Sequence, residues 1–200
     1  MKIGVFGGTF NPIHNGHIML AKYCKNSVGL DRIMLIPTAV PPHKISTDLA
    51  SEQDRLNMCS LACKNNDGFY VSDIEIQRKG KSYTYETLAQ LKRMYPDDEL
   101  FLIMGADMFL TLDKWKNPKE IFKNSSIITL PRNSDGKAEL EKFYKDVLID
   151  LGAKAVILPE PVITVSSTFV RENIEDYRLL KKLIDKNVYD YIIKNNLYRK

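Results

Sequence analysis

The first seventeen residues read Met1-Lys2-Ile3-Gly4-Val5-Phe6-Gly7-Gly8-Thr9-Phe10-Asn11-Pro12-Ile13-His14-Asn15-Gly16-His17. Residues 2–6 form a short run of aliphatic and aromatic side chains that ends in two glycines, which predicts a buried strand entering a tight turn. From Gly16 onwards, apolar residues recur at helical spacing, so we expect a helix there. A strand, a glycine turn and a helix in this order are typical of an α/β protein.

Histidines and glycines are concentrated in this first stretch. His14 and His17 lie three residues apart at the start of the helix, so their side chains can point the same way. Gly16 leaves room for a close approach, as Gly7 and Gly8 do at the end of the strand. A helix N-terminus adds free backbone N–H groups and the positive end of the helix dipole. Glycines, imidazoles and free amides together predict a cradle for a polyphosphate.

Other interpretations of this stretch fit less well. Its glycines do not have the G-x-G-x-x-G spacing of a dinucleotide-binding motif. Gly80-Lys81-Ser82 resembles the end of a P-loop, but Glu75 stands where the first glycine should be. The two histidines lack a third zinc ligand, so we predict no metal site built from protein side chains.

Further strands and helices alternate along the chain. We predict strands at residues 32–37, 69–78 (one bent strand or two short ones), 99–105, 126–130 and 155–158. The strand at 99–105 is the most hydrophobic, so we expect it to be central, and we expect the strand at 155–158 to belong to the core. We predict helices at residues 51–64, starting at Ser51 with Asp54 three residues on, and at 85–94, 137–151, 167–173 and 185–195. This alternation predicts a Rossmann-like α/β fold, a doubly wound, mostly parallel sheet with helices on both faces, in a single domain of residues 1–200. Ligands of such sheets bind beyond the carboxyl ends of the strands, here near Gly7, Pro37, Gly105, Pro131 and Pro159.

The composition is that of an ordinary globular protein. The net charge is +4 and the basic residues are spread along the chain, so nothing indicates a nucleic-acid-binding surface. Three cysteines are an odd and sparse count for a disulfide scaffold. No apolar run reaches membrane-spanning length and the N-terminus does not read as a signal peptide, so we expect a cytoplasmic protein.

A second group of hydroxyl and cationic side chains lies near the C-terminus, at Val165-Ser166-Ser167-Thr168-Phe169-Val170-Arg171. Ser166 and Ser167 can cap the predicted helix, and Arg171 shares a helical face with Ser167 and Thr168. Hydroxyls, amides and a guanidinium would then converge on one anion. By itself, the segment fits a plain capped helix with a surface arginine equally well.

Together, the two segments resemble the signatures of the nucleotidylyltransferase superfamily. Residues 7–17 are similar to its first signature, whose core is His-x-Gly-His, and residues 165–171 are similar to its second, Ile-Ser-Ser/x-Thr-x-x-Arg. Val165 replaces the isoleucine, which is a chemically minor change. The segments stand in the expected order, about 150 residues apart.

Finer features resemble the bacterial nicotinate-nucleotide adenylyltransferase family over nearly the whole chain. They are Thr9-Phe10-Asn11-Pro12, Pro41-Pro42-His43-Lys44, Ser82-Tyr83-Thr84-Tyr85-Glu86-Thr87-Leu88, and Met104-Gly105-Ala106-Asp107 followed by Trp115. The chain departs from the family after Pro131-Arg132, where Asn133-Ser134 follows instead of the Pro-Gly of the common Arg-Pro-Gly.

The resemblance implies adenylyl transfer from ATP to nicotinate mononucleotide, giving deamido-NAD and pyrophosphate. The acceptor's phosphate has a second pKa of about 6, so it is largely ionised at neutral pH and attacks the α-phosphorus without a general base. His14 and His17 would hold the α- and β-phosphates, and Arg171, Ser167 and Thr168 the leaving pyrophosphate. Mg²⁺ would arrive with ATP, held mainly by phosphate oxygens and water. The implied ATP-binding residues are Gly7, Gly8, Thr9, Phe10, His14, Gly16, His17, Gly105, Asp107, Val165, Ser166, Ser167, Thr168 and Arg171.

For the acceptor, the resemblance implies that Trp115 stacks on the pyridine ring and that Tyr83 and Thr84 bind its carboxylate. Lys44 and Arg132 would contact the acceptor phosphate. The alternatives are that Trp115 is a core residue and that the two cations are solvated surface charges.

Several alternatives stay open at this point. Asp107 would bind a ribose hydroxyl or a hydrated metal ion, or would merely cap a helix. The acceptor could instead be nicotinamide mononucleotide or phosphopantetheine, and a catalytically inactive ATP sensor is a function of a different class. Residues 38–50 are expected to form a long loop that could close on the ligand. The oligomeric state is not determined by the sequence, and a homo-oligomer is among the options.

Overall fold

The computed structural model describes residues 1–39, 49–133, 136–159 and 165–199. The strands are β1 (Lys2–Gly8), β2 (Arg32–Pro37), β3 (Phe69–Val71), β4 (Glu99–Gly105), β5 (Ser126–Leu130) and β6 (Ala155–Ile157). The helices are α1 (Asn15–Val28), α2 (Glu52–Lys64), α3 (Ile74–Arg78), α4 (Thr84–Met94), α5 (Ala106–Phe109), α6 (Pro118–Asn124), α7 (Gly136–Phe143), α8 (Ser167–Glu172), α9 (Tyr177–Leu180) and α10 (Lys186–Lys194). A 3₁₀ turn lies at Leu112–Lys114 and a π-helical turn at Tyr144–Leu148. None of these helices combines the length and the apolar character that a membrane crossing requires.

The strands of the described residues form one sheet in the order β3-β2-β1-β4-β5-β6. β1 pairs in parallel with β4, β4 with β5, and β5 with β6. The predicted Rossmann-like α/β fold with a mostly parallel sheet is therefore confirmed. The chain order of the strands reverses between β1 and β4, and ligands of open α/β sheets bind beside such a switch point, at the carboxyl ends of the strands.

Strand β4 is central, as its composition predicts. It lies between β1 and β5, and its residues Leu100 to Met104 are all buried. A parallel strand that is covered on both faces has no solvent side, so it reads as a continuous apolar run rather than an alternating one.

The prediction of strand over residues 69–78 is wrong for its second half. Strand β3 ends at Val71, and the chain enters the short helix α3 at Ile74. The Ser72 N–H still donates to the Leu35 carbonyl oxygen at 2.9 Å, and the turn at Asp73 then redirects the backbone. Ile74 and Ile76 alternate as they would in a strand, but the buried positions of the helix are Ile74 and its neighbour Glu75.

Two predictions near the C-terminal third also need correction. The strand predicted at 155–158 as part of the core is the edge strand β6, and Val156 is exposed there. The helix predicted at 137–151 is α-helical only to Phe143 and continues as the π-helical turn. Gly152 has a φ of 86°, and the Ala153 N–H donates to the Leu148 carbonyl oxygen at 3.0 Å, so the chain turns back there towards β6.

The described residues cluster into two compact units. The first comprises Met1–Gly7, Tyr23–Ile33 and Tyr83–Val162, and the second comprises Gly8–Lys22, Met34–Ser82 and Ile163–Lys200. The single domain over residues 1–200 stays a prediction.

Within the second unit, the side chain of Arg55 holds together three stretches of backbone. Arg55 lies on α2 and is completely buried. Its Nη1 donates to the carbonyl oxygens of Thr9 and Thr38 at 3.0 and 2.6 Å, its Nη2 to that of Ala39 at 3.0 Å, and its Nε to that of Ala50 at 3.2 Å. Thr9 belongs to the glycine-rich stretch, so this guanidinium ties that stretch to the residues after β2 and before α2.

We predict that Arg55→Met lowers the free energy of unfolding by about 3 kcal/mol or more. The substitution removes four charge-assisted hydrogen bonds and leaves buried carbonyl oxygens without donors. Arg93→Met is the matched control, because Arg93 is exposed on α4, and it should cost less than about 0.5 kcal/mol. Urea unfolding of both variants measures the difference, and equal losses would contradict the role assigned to Arg55.

Candidate active site

The segment between β1 and α1 is shaped by an aromatic ring that packs against a glycine. Phe10 is buried and has a φ of 48°, in the left-handed region. A Cβ added to Gly8 would come within 3.2 Å of the Phe10 ring, so a larger residue there would push the ring out of this position by a few tenths of an ångström. The same ring meets His17 edge to face, with 5.1 Å between ring centroids.

His14 and His17 do share a face, as their spacing predicts. Their rings stack with centroids 3.7 Å apart and an interplanar angle of 27°. Gly16 gives this arrangement room, because a Cβ at that position would be 3.1 Å from the His14 ring and 3.3 Å from Cβ of Val165, both closer than an ordinary contact. The backbone N–H of His14 donates to Nδ1 of His17 at 3.2 Å, so the proton of neutral His17 belongs on Nε2.

Both imidazoles are neutral at physiological pH. Burial lowers the pKa of His14 to about 4. Burial, and to a lesser extent the charge of neighbouring His14, lower the pKa of His17 well below its ordinary value. Nδ1 of His14 is buried and has no hydrogen-bond partner in the described residues. A buried polar atom without a partner is costly and is typical of a site that a ligand completes.

The second signature segment packs directly onto the first within the second unit. Ser166 caps α8 as predicted, accepting a hydrogen bond from the Phe169 N–H at 3.0 Å. The Ser167 hydroxyl donates to the Pro12 carbonyl oxygen at 3.0 Å.

Arg171 makes the second link between the two segments. Its Nη1 donates to the Asn11 carbonyl oxygen at 2.9 Å, and its Nη2 contacts the Thr168 hydroxyl at 3.4 Å. Arg171 therefore bonds to the first signature segment, and its contact with an anion stays a prediction. A guanidinium carries five N–H donors, so these two bonds leave several donors for a ligand.

The structure adds three residues that the sequence did not reveal as part of this arrangement: Arg55, Asn11 and Tyr198. Asn11 is buried, and its Oδ1 accepts hydrogen bonds from the Tyr198 hydroxyl at 2.7 Å and from the Ala50 N–H at 3.0 Å. The burial of Arg55 could have been predicted from the sequence, because Arg55 shares the apolar face of α2 with Met58, Cys59 and Ala62 at helical spacing. Asn11 and Tyr198 are 187 residues apart, and no local pattern indicates their contact.

Four of the residues predicted to bind the acceptor lie in the first unit: Tyr83, Thr84, Trp115 and Arg132. Tyr83 directly precedes α4 and Thr84 begins it. The Lys116 ammonium stands 4.0 Å from the centroid of the Tyr83 ring. Trp115 is half-buried and its Nε1 donates to the Thr111 hydroxyl at 3.4 Å, so it is not a core tryptophan.

The carboxylate of Asp107 forms an exposed ion pair with Arg132 in the first unit. Asp107 lies in the first turn of α5, where Gly105 rather than Asp107 occupies the N-cap position. The Arg132 charge is thus matched by a carboxylate, and its predicted contact with the acceptor phosphate stays a prediction.

Not all predicted site residues take part in the contacts described above. Lys44, with the rest of the Pro41–Lys44 segment, lies outside the described residues. Gly7 and Gly105 have open space where a Cβ would stand, and neither has a left-handed φ, so neither position needs a glycine for packing. Within the described ranges, no group of three histidine, cysteine or acidic side chains could hold a metal ion.

Comparison with known proteins supports the resemblance. A family model described as cytidylyltransferase-like matches residues 5–173. A protein of Caldicellulosiruptor saccharolyticus is 37% identical over 199 residues, covering 100% of both chains. A protein of Carboxydothermus hydrogenoformans is 39% identical over 198 residues, covering 99% of this chain and 98% of its own. Both relatives are named as probable nicotinate-nucleotide adenylyltransferases.

Solved structures agree on the fold. Nicotinic acid mononucleotide adenylyltransferase of Plasmodium falciparum, solved in complex with APC and with NaAD, aligns with a TM-score of 0.76. The alignment covers 98% of this chain and 96% or 97% of the two solved chains, at 21% identity. The family model and the full-length relatives together confirm the predicted membership. The chain belongs to the cytidylyltransferase-like superfamily and, within it, to the nicotinate-nucleotide adenylyltransferase family.

Proposed function

We propose that this chain transfers the adenylyl group of ATP to nicotinate mononucleotide, forming deamido-NAD and pyrophosphate. The observation that supports it most is the junction of the two signature segments, where Arg171 and Ser167 bond to the backbone of Asn11 and Pro12. This junction gathers a guanidinium, hydroxyls and two imidazoles around one stretch of backbone. Membership of the family supports nicotinate mononucleotide as the acceptor.

The proposed reaction relies on positioning and charge stabilisation. The acceptor phosphate, with a second pKa of about 6, is ionised at neutral pH and attacks the α-phosphorus in line while pyrophosphate leaves. In this scheme His17 donates its Nε2–H to the α-phosphate, and His14 contacts the neighbouring phosphate. Neutral imidazoles suit this role, because they supply oriented donors without a proton transfer.

The leaving pyrophosphate is assigned to α8. Arg171 supplies positive charge, and the hydroxyls of Ser167 and Thr168 lie one turn before it. Mg²⁺ is proposed to arrive with ATP, held by phosphate oxygens and water, and to neutralise part of the phosphate charge. Asp107 is the residue proposed to contact a ribose hydroxyl or the hydrated ion. Open space at Gly7 is consistent with a close approach of the nucleotide to the end of β1.

The acceptor is assigned to residues of the first unit together with Lys44. Trp115 would stack on the pyridine ring, which its partial exposure permits. Tyr83 and Thr84 would bind the carboxylate. Lys44 and Arg132 would contact the acceptor phosphate, and Arg132 would then have to exchange or share its Asp107 partner.

Pyrophosphate release tests which acceptor the chain uses. With Mg²⁺ and ATP, the wild-type chain should release pyrophosphate with nicotinate mononucleotide faster than with nicotinamide mononucleotide or phosphopantetheine. Each acceptor is assayed separately by pyrophosphate detection. Release only with phosphopantetheine would overturn the pyridine acceptor, and no release with any acceptor would favour an ATP sensor.

Substitution of His17 tests its assigned contact with the α-phosphate. His17→Ala should lower kcat by roughly 100-fold or more, because it removes an oriented donor to the reacting phosphate. His17→Asn should lose activity similarly, although its side-chain oxygen can still accept the His14 N–H and keep the segment in place. Thermal unfolding serves as the control for folding. Near-normal kcat in either variant would contradict the assignment.

The free energy of unfolding should depend on pH through His14. Because His14 has a folded-state pKa of about 4 instead of 6.5, it takes up a proton first in the unfolded chain. Its contribution to stability is therefore present above pH 6.5 and is lost as the pH falls towards 4, by roughly 3 kcal/mol in total.

Urea unfolding across this pH range measures that loss. The variant His14→Gln has no group titrating at this position, so its stability should fall less steeply between pH 6.5 and 4 than that of the wild type. Parallel pH profiles for the two proteins would show that His14 is not buried as a neutral imidazole.

A further inference from the structure

The residues after α10 return to the first signature segment. The hydroxyl of Tyr198 donates to Oδ1 of Asn11 at 2.7 Å. Tyr198 has a φ of 62°, in the left-handed region that bulky side chains rarely adopt. Because this conformation is unfavourable for tyrosine, it persists only where surrounding contacts hold it. Burial raises the pKa of Tyr198, so its hydroxyl stays protonated and able to donate.

Asn11 links this tyrosine to Arg171. Its side-chain Oδ1 accepts from Tyr198 and from the Ala50 N–H, while its backbone carbonyl oxygen accepts from Nη1 of Arg171. Asn11 is only 6% exposed, so water cannot readily replace these donors. The position of the Arg171 guanidinium therefore depends on a residue whose side chain is itself held by the C-terminal segment.

We propose that Tyr198 is a positioning residue for ATP: by holding the Asn11 side chain, its hydroxyl fixes the backbone carbonyl that orients the Arg171 guanidinium. The inference rests on the proposed function, which assigns Arg171 to the nucleotide phosphates. If the hydroxyl is removed, Oδ1 of Asn11 still accepts from Ala50, so no buried acceptor is stranded and the fold survives. What is lost is the hydrogen bond that anchors the Asn11 side chain to the C-terminal segment.

Tyr191 provides a matched control within the same C-terminal segment. Its hydroxyl donates to Asp54 at 2.8 Å and accepts from Asn57 at 2.9 Å, and both partners lie on α2. Tyr191→Phe thus removes the same atom and at least as many hydrogen bonds as Tyr198→Phe, but away from the signature segments.

Calorimetric titration with a non-hydrolysable ATP analogue separates the two variants. Tyr198→Phe should weaken binding roughly threefold to tenfold, the range that one hydrogen bond contributes, and should raise KM for ATP with little change in KM for the acceptor. Tyr191→Phe should bind the analogue within about twofold of the wild-type affinity, even if its Tm falls as much as that of Tyr198→Phe. Equal affinities of the two variants for the analogue would overturn the proposal.

A double-mutant cycle tests the route through Arg171. In an Arg171→Ala background, Tyr198→Phe should cause no further loss of affinity, whereas additive losses would show that Tyr198 acts elsewhere. The analogue binds without an acceptor, so a wrong acceptor assignment leaves this test intact. A wild-type chain that fails to bind the analogue overturns both proposals, and a wild type that binds it while Tyr198→Phe behaves like Tyr191→Phe overturns only this one.

Discussion

The arrangement of the second unit depends on the hydrogen bonds that the buried guanidinium of Arg55 donates. Moving a cation out of water is expensive, and the cost is normally offset by a carboxylate partner. Here the hydrogen-bond partners of Arg55 in the described residues are all backbone carbonyl oxygens, those of Thr9, Thr38, Ala39 and Ala50. Carbonyl dipoles solvate the charge without cancelling it, so the guanidinium places a positive charge beside the first signature segment. Such a charge in a region of low dielectric favours a polyanionic ligand.

The first signature segment is held by its carbonyl oxygens. Those of Thr9, Asn11 and Pro12 accept hydrogen bonds from Arg55, Arg171 and Ser167 respectively. Carbonyl oxygens carry the negative end of the peptide dipole and would repel a phosphate. With three of them occupied by donors, fewer carbonyl oxygens are left to repel a phosphate. The same bonds therefore order the backbone and make the segment suitable for anion binding.

Features that depend on residues close together in the sequence were predicted best. The Ser51 and Ser166 caps are confirmed, because a cap is made between residues three apart. The central position of β4 followed from its uninterrupted apolar run. The prediction for the second half of 69–78 was wrong because Ile74 and Ile76 alternate as strand residues do, whereas helix α3 buries Ile74 and its neighbour Glu75. The edge position of β6 was not predicted, because a strand of three residues is too short to show a sequence pattern typical of an edge strand.

The sequence alone determined the residue types, their spacing and the chemistry that they permit. Two histidines around a glycine, with hydroxyls one turn before an arginine, indicated an anionic ligand. The alternation of strands and helices predicted an α/β sheet. Only the tertiary structure decided that the two segments touch, that His17 carries its proton on Nε2 and that both imidazoles are neutral. It also decided that Arg55 and Tyr198 bond to the first of the two segments. Contacts across 155 to 187 residues and the pKa shifts of buried groups arise from packing, because burial and distance are properties of the folded chain and not of any local stretch.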